Sequence, residues 1–381
     1  MITETNSIIQ QAFTEIEDPR QQHKVEHPLE NILFITLCGI LCGAEKFTEI
    51  VSFAHSQKPW LQQYLNLENG IPSDDTLNRT LGLIATASFS QCFLAWMKLL
   101  GIDPEIQVAI DGKLLRGSGS KPLKGKDALD MVTAFAVTQG LTLAQQVVSE
   151  KSNEITAIPH LLNMLNLKGC VVTIDAMGCQ KTIVSQIVEA GADYVIALKK
   201  NQGHLYEDAN EMFDYLLKHD SNKLDHTKTT EKGHGRLEIR ECWTFDPRLY
   251  ADYFRTLAHW VGIQRIAVVR SRRLVQGVET IKTRFFISSV EEGAVAHLRY
   301  VRSHWAIENK AHWILDVALR EDAHQLKHRT TAANLSILRQ LVRNLLTRDT
   351  KLKGSTRTKI LRCSWNINDR ELILRQLFPS L

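Results

Sequence analysis

The sequence lacks three features that would assign it to a specialised class of protein. Neither charge sign dominates, since 46 basic side chains face 42 acidic ones and the formal net charge is +4, which excludes a polybasic arm and an acidic solvating tail. The longest apolar run, from Ile32 to Ala44, is shorter than the roughly 18 residues that a membrane-spanning helix needs. The opening residues, MITETNSIIQ, lack the basic start of a secretory signal. We therefore expect neither a membrane protein nor a secreted one.

Paired cysteines are also missing. The chain has seven cysteines, and no two of them form a C-x-x-C pair, so a disulfide scaffold and a paired-cysteine zinc site are not expected. The hydrophobic fraction of 44% and the charged fraction of 23% are those of a globular protein, and the length suggests about two to three domains. We expect the protein to reside in a reducing cytoplasm.

The first part of the chain is predicted to be helical. Apolar residues recur at three- and four-residue spacing from Ile8 to about Met97. Ser73, followed by two aspartates, predicts the capped start of one helix in this region. The sequence therefore predicts a helical N-terminal domain.

The pattern changes at Gln107. A short apolar strand there runs into Asp111 and is followed by a predicted loop, after which a hairpin turns at Gln139-Gly140. Two helix–strand pairs come next, and the first of their strands ends at Asp175. The predicted order is β-β-β-α-β-α-β, a mixed sheet with helices on both faces, in which the first and fourth strands are neighbours.

After a helix from His204 to Lys218, the polar stretch from Lys218 to Lys232 is predicted to be a loop. Three strand-like runs follow it and predict a β-rich insertion. Helix is predicted again from near Ala294 to Asp316 and from Ala332 to Leu346, and the last segment is basic and mixed.

Asp111 and Asp175 are candidate metal ligands, because the predicted sheet places them side by side without an evident ion-pair partner. Two neighbouring carboxylates are costly unless a cation lies between them, and oxygen ligands select Mg²⁺ or Mn²⁺. Glu308 is the best third ligand, since its helix buries the adjacent Ile307. Its competitors are Glu154, Asp316 and Asp322.

The helix that carries Glu308 permits a rival interpretation. His304, Glu308, His312 and Asp316 follow one another at four-residue steps, a spacing that allows at most three of them to share a transition-metal ion. Basic residues also collect around the acids, and they predict a track for a phosphate backbone. The candidate DNA contacts are Lys113, Arg116, Lys199, Lys200, Arg302, His304 and Lys310.

Six sequence blocks resemble the signature blocks of a known family. They are VAIDGKLLRGS, EKSNEITAIPHLLNML, VVTIDAMGCQKTIV, GADYVIALKKNQG, KGHGRLEIR and RSHWAIENKAHWILDVALREDA. They resemble the H-repeat-associated transposases, a branch of the DDE insertion-sequence transposases with an RNase H-like catalytic core. DPRQQHKVEHPL and GIPSDDTLNR resemble the helical domain associated with that family. The likeness extends to about Arg348.

The resemblance implies a DNA transposase that performs metal-dependent end cleavage and strand transfer. It implies Asp111, Asp175 and Glu308 as the DDE triad, two Mg²⁺ or Mn²⁺ ions, and a homodimer or larger assembly on DNA. It divides the chain into a helical associated domain, the first part of the core, the β-rich insertion, the helical part of the core with the third acid, and a basic tail. Their ranges are 1–100, 101–215, 216–292, 293–350 and 351–381.

One signature of related transposases is not matched. It places an Arg four residues before the Glu and a Lys seven residues after it, and these positions hold His304 and Leu315 here. Arg302 and Lys310 are candidate substitutes. Two other functions remain open from the sequence: an RNase H-like nuclease without strand transfer, and an inactive element remnant that only binds DNA.

Overall fold

The computed structural model describes residues 9, 11–13, 16–104, 106–119, 127–149, 152–233, 235–379 and 381. The N-terminal region is helical, as predicted, and five of its α-helices have both ends within the described residues. Ile8, where the predicted pattern starts, lies outside them. Ser73 caps the fourth helix, because its side chain accepts a hydrogen bond from the backbone N–H of Thr76. The helices are α1 (Leu29–Leu41), α2 (Phe47–Ser56), α3 (Lys58–Leu61), α4 (Asp74–Leu83) and α5 (Thr86–Leu99).

A single nine-stranded sheet forms the centre of the molecule. Its spatial order is β3-β2-β1-β4-β5-β9-β8-β7-β6. The pairs β1·β4 and β4·β5 are parallel, and all other pairs are antiparallel. The strands are β1 (Gln107–Leu115), β2 (Leu129–Ala136), β3 (Leu141–Val147), β4 (Val171–Ile174), β5 (Asp193–Leu198), β6 (Asp225–Gly233), β7 (Arg236–Phe245), β8 (Arg265–Val275) and β9 (Val278–Ser288).

Strands β1 to β5 form the predicted core sheet. The helices between them are α6 (Glu154–Asn163) and α7 (Lys181–Glu189), and Asn153 caps α6 by accepting from the N–H of Ile155. With β1 between β2 and β4, the first and fourth strands are neighbours, as the sequence predicts. The order 3-2-1-4-5 with helices on both faces is that of an RNase H-like core.

The β-rich region continues this sheet. After α8 (Gly203–His219), strands β6 to β9 add to the edge of the core, because β9 pairs with β5. We call these four strands the extension sheet. The predicted loop from Lys218 to Lys232 is wrong, since most of it is β6. That strand lies at the edge of the sheet and is almost entirely exposed, so it carries no apolar alternation.

The helices after the extension sheet cover the second face of the sheet. They are α9 (Ala294–His304), α10 (Trp313–Val317) and α11 (Arg329–Arg348). The predicted continuous helix is interrupted, because a turn at Trp305 and a π-helical turn over Glu308–His312 separate α9 from α10. Such π turns are rare and occur frequently at functional sites.

The segment predicted as a basic tail is folded. It forms α12 (Thr356–Trp365) and α13 (Ile367–Leu374), whose buried residues belong to the main hydrophobic core. Arg370 lies over the Trp60 ring at 4.5 Å, and Glu371 accepts hydrogen bonds from Trp60 and Tyr64. The end of the chain thus packs directly on the N-terminal helices.

No single helix among the described ones is long and apolar enough to cross a membrane. The pair α4 and α5, bent by 92°, passes the same test together by length and composition only. Leu77, Phe93 and Trp96 of this pair are buried in the core of this structure, and Leu83 and Leu99 are exposed.

Candidate active site

The three predicted acids line one cleft at the centre of the sheet. Ile110 and Ile174 are in register between β1 and β4, so Asp111 and Asp175 occupy the next positions of two adjacent strands. Glu308 comes from the π-helical turn that crosses this part of the sheet. All three side chains line the same cavity, together with Lys199 of the strand-end segment after β5.

Asp111 does not lie at the end of its strand, which corrects the sequence prediction. β1 continues to Leu115, because its antiparallel ladder with β2 extends through Leu115 and Leu129. Gly112, the next residue of this strand, leaves room for the Glu154 carboxylate, which a β-carbon at this position would meet. Asp111 is therefore held in a rigid strand. Asp175 does follow the end of β4, and its carboxylate accepts a hydrogen bond of 2.9 Å from the N–H of Met177.

The cleft concentrates negative charge. Burial raises the pKa of Asp111 to about 7, with further contributions from the charges of Asp175 and Glu308. Burial likewise raises the pKa of Glu154 to about 7, with the charges of Asp130, Asp175 and Asp111 adding to the effect. Desolvation and like charges both disfavour the ionised form of a carboxyl group. The cleft therefore favours a bound cation.

His312 is the histidine that reaches these acids. Its Nδ1 atom lies 3.1 Å from a Glu308 oxygen and 3.7 Å from an Asp111 oxygen. One ligand atom from each of Asp111, Glu308 and His312 lies within 4.8 Å of the others. His312 is almost fully buried, and burial lowers its pKa. From the sequence, His312 was predicted as a ligand only within the rival transition-metal set.

That rival set is not assembled in the structure. His304 faces the floor of the cleft, with its Nδ1 atom 3.0 Å from Thr173 Oγ1. Asp316 is directed elsewhere, because its carboxylate forms an ion pair of 2.7 Å with Lys113. Of the four residues, only Glu308 and His312 are in contact, and the third member of their cluster is Asp111.

Lys113 is not available for DNA, which corrects its assignment as a DNA contact. Strand alternation turns it inward beside Asp111, where it is 8% exposed. Its ammonium group pairs with Asp316 at 2.7 Å and with the buried Glu321 at 2.8 Å. Lys113 therefore holds the segment after α10 against β1.

A family model described as "Transposase DDE domain" matches residues 103–345. The chain belongs to the DDE transposase family. A second model, described as "DDE_Tnp_1-associated", matches residues 10–97, the helical region of this transposase.

Curated relatives agree with this assignment. The chain is 40% identical over 350 residues to "Putative transposase YncI" of Escherichia coli O157:H7, covering 90% of this chain and 88% of the relative. It is 38% identical over 359 residues to "H repeat-associated putative transposase YhhI" of Escherichia coli strain K12, covering 93% and 94%. The H-repeat-associated resemblance is thereby confirmed.

One solved structure has a more distant likeness. It is titled "Cryo-EM structure of piggyBac transposase synaptic complex with hairpin DNA". The match covers 99% of this chain and 81% of that chain at 10% identity, with a TM-score of 0.41. At that distance it adds nothing to the assignment of the site.

The other predicted DNA contacts of this transposase differ in their availability. Lys199, Lys200 and Lys310 are exposed. Arg116 is 82% exposed with a long ion pair of 3.9 Å to Asp322, and Arg302 pairs with Glu231 at 2.5 Å. These residues remain predicted contacts.

His304 is a different case. Burial lowers its pKa to about 4, so it is neutral at pH 7 and brings no positive charge to a phosphate. Its assignment as a DNA contact stays a prediction that rests only on its place in the cleft wall.

Sequence reasoning missed Arg284, which lines the cleft from β9 and lies over the Trp305 ring at 5.7 Å. The available signal was the spacing of Lys282 and Arg284, which places two basic side chains on one face of a strand.

Lys113→Met is expected to destabilise the fold without changing the salt dependence of DNA binding. The substitution removes the ion pair of the buried Glu321 with Lys113, and the loss of one partner of a buried pair costs about 3–5 kcal/mol of unfolding free energy. Urea denaturation and DNA titration measure the two effects. Lys199→Met is the matched control, because this exposed lysine should keep the unfolding free energy within about 0.5 kcal/mol. If Lys113→Met is stable and its DNA binding depends less on salt than that of wild type, Lys113 is a DNA contact after all.

Proposed function

We propose that this protein is a metal-dependent DNA transposase that cleaves the ends of an insertion-sequence-like element and transfers the cut strands to target DNA. The observation that carries the proposal is the convergence of Asp111, Asp175 and Glu308 in one cleft. Among the described residues, no arginine or lysine forms an ion pair with any of the three, although Lys199 lines the same cavity. Three neighbouring carboxylates without an arginine or lysine partner among the described residues are suited to bind divalent cations.

The donor set fits Mg²⁺ or Mn²⁺. Carboxylate oxygens are the ligands that hard cations prefer. Burial raises the pKa of Asp111, and the charges of Asp175 and Glu308 add to the effect, so a cation in the cleft would stabilise the ionised acids. We propose two ions, which Asp111, Asp175 and Glu308 would hold. When bound, such a pair stabilises both the attacking and the leaving oxygen of a phosphoryl transfer.

The chain's own residues prepare this site. The β1 ladder fixes Asp111, and the N–H of Met177 fixes one oxygen of Asp175. Because a carboxylate only accepts hydrogen bonds, the contact with Glu308 places the proton of His312 on Nδ1. His312 thereby orients Glu308, which is 56% exposed and otherwise free to rotate.

The proposed partner is DNA, both the element ends and the target. Lys199, Lys200, Arg116, Arg302 and Lys310 are the proposed phosphate contacts near the cleft. Synapsis of two ends requires at least a homodimer. We place the protein in the cytoplasm, on the nucleoid when it is bound to DNA.

The proposal is tested by incubating the purified protein with duplexes that carry the sequences flanking its gene. Cleavage at an element end and joined products are expected in Mg²⁺ or Mn²⁺, and neither is expected in EDTA. Cleavage without joined products would identify a nuclease, and binding without cleavage would identify a DNA-binding remnant. Activity that persists in EDTA would exclude the metal-dependent mechanism.

A further inference from the structure

An open groove lies on the extension sheet beside the catalytic cleft. Its floor consists of alternate residues of β7, β8 and β9, and the end of α9 with Trp305 forms its wall. We call it the basic groove, after the six basic side chains that line it. They are Arg236, Arg240, Arg273, Lys282, Arg284 and Arg302.

The strand register explains why these side chains share a face. Arg240, Ser271 and Lys282 form one row across three strands, and Cys242, Val269 and Arg284 form the next. Cys242 and Val269 are buried beneath α9. The helix covers these inner rows, and the outer rows extend beyond it. Basic side chains of the outer rows therefore face an open channel.

The protein does not neutralise this groove. Two acids share the face of the groove. Glu231 forms ion pairs with Arg240 and Arg302. Glu238 forms an ion pair of 2.7 Å with Arg240 and a longer one of 3.8 Å with Arg236. Arg273, Lys282 and Arg284 have no acidic partner among the described residues, and the first two are exposed. The groove thus keeps an excess of positive charge that suits a polyanion.

The groove opens into the catalytic cleft. Arg284 and Trp305 line both cavities, so a polyanion that lies in the groove reaches the three acids at one end. Ser271 and Thr280 lie on the groove floor between the basic residues. Basic and hydroxyl side chains are the groups that most often contact phosphate oxygens.

We infer that the basic groove binds the phosphate backbone of double-stranded DNA and directs it into the cleft. This inference rests on the proposed function, because it takes DNA as the substrate. It assigns DNA binding to residues of β8 and β9 in the extension sheet, outside the core strands that lead to Asp111 and Asp175.

The test compares two triple variants that remove the same charge from opposite faces of one sheet. The groove variant removes the three basic charges of the groove that have no acidic partner among the described residues, through the substitutions Arg273→Gln, Lys282→Gln and Arg284→Gln. The control variant removes three basic charges from the opposite face of the sheet, where the strand pairing places them. Its substitutions are Lys228→Gln, Arg270→Gln and Arg272→Gln. Binding is measured in EDTA by fluorescence anisotropy with a labelled duplex of arbitrary sequence.

The groove variant is expected to bind at least about tenfold more weakly at 0.15 M salt, and the slope of log K against log salt should fall by about 3. The control variant should stay close to wild type, because charges on the far face are largely screened at that salt. Equal losses in both variants, or none in the groove variant, would overturn the inference.

A second measurement covers the case in which the groove variant fails to fold. A photo-cross-linking residue at position 282 should join to the duplex, and the same residue at position 281, which faces the opposite side, should not. Cross-linking at position 281 alone would overturn the inference. Because binding is measured without metal, a protein that binds through the groove and never cleaves would contradict only the proposed function. Cleavage by a groove variant that binds normally would contradict only the groove.

Discussion

Glu308→Gln is expected to abolish cleavage, whereas Asp316→Asn keeps most of the activity. Glu308 lies with Asp111 and His312 in one cluster of potential ligand atoms, and Asp316 is paired with Lys113. Loss of a residue that supports a metal ligand typically costs about 10–100-fold in activity, and loss of the ligand itself costs more. Asp316 supports Lys113 instead of a ligand, so its loss should cost less than either. Cleavage rates under single-turnover conditions in Mg²⁺ measure both variants.

The two substitutions should also differ in stability. Asp316→Asn removes one partner of a buried lysine and is expected to lower the unfolding free energy, and Glu308→Gln, at an exposed position, should change it little. An inactive Asp316→Asn together with an active Glu308→Gln would move the third acid two turns further along the chain.

Asp111→Asn should abolish cleavage and also remove the stabilisation of the protein by metal. An ion that binds only the native state raises the unfolding free energy, by about 2.7 kcal/mol at a hundredfold excess over Kd. Wild-type protein should therefore melt at a higher temperature in Mg²⁺ or Mn²⁺ than in EDTA. The Asn variant should show no such increase, because it lacks one of the carboxylates that would hold the metal.

Without metal, Asp111→Asn should be at least as stable as wild type, since it removes a charge that Asp175 and Glu308 repel. Asp193→Asn is the matched control, because Asp193 begins β5 at the opposite end of the sheet from the cleft. The melting temperatures of wild type, Asp111→Asn and Asp193→Asn are measured with and without metal. A metal-induced increase that persists in Asp111→Asn would remove this residue from the ligand set.

The core sheet could be predicted because its signals are local. Buried strands such as β4 are short apolar runs between two helices, and right-handed connections then fix their order. β6 could not be predicted, since an exposed edge strand shows no apolar alternation. The length of β1 was missed because Gly112 looks like a turn residue, and only the packing of Glu154 against it reveals another reason for glycine.

The acids could be proposed from the sequence, but their surroundings could not. Lys113 was assigned to DNA because the partners that bury it, Asp316 and Glu321, lie some 200 residues further on. The π turn that presents Glu308 leaves no mark in the spacing of apolar residues. His312 reaches the acids through that turn, so its contact with Glu308 depends on backbone geometry that no residue pattern states.

The contact between α13 and the N-terminal helices bears on how the protein is made. Arg370 and Glu371 complete the surroundings of Trp60 and Tyr64, which leave the ribosome roughly 300 residues earlier. Most of the chain must therefore be translated before Arg370 and Glu371 are available to contact Trp60. A chain synthesised N-terminus first closes this part of its core only when α13 has emerged. Nascent chains interrupted before Arg370 would contain all three acids and still expose the N-terminal aromatic residues to other chains or to proteases.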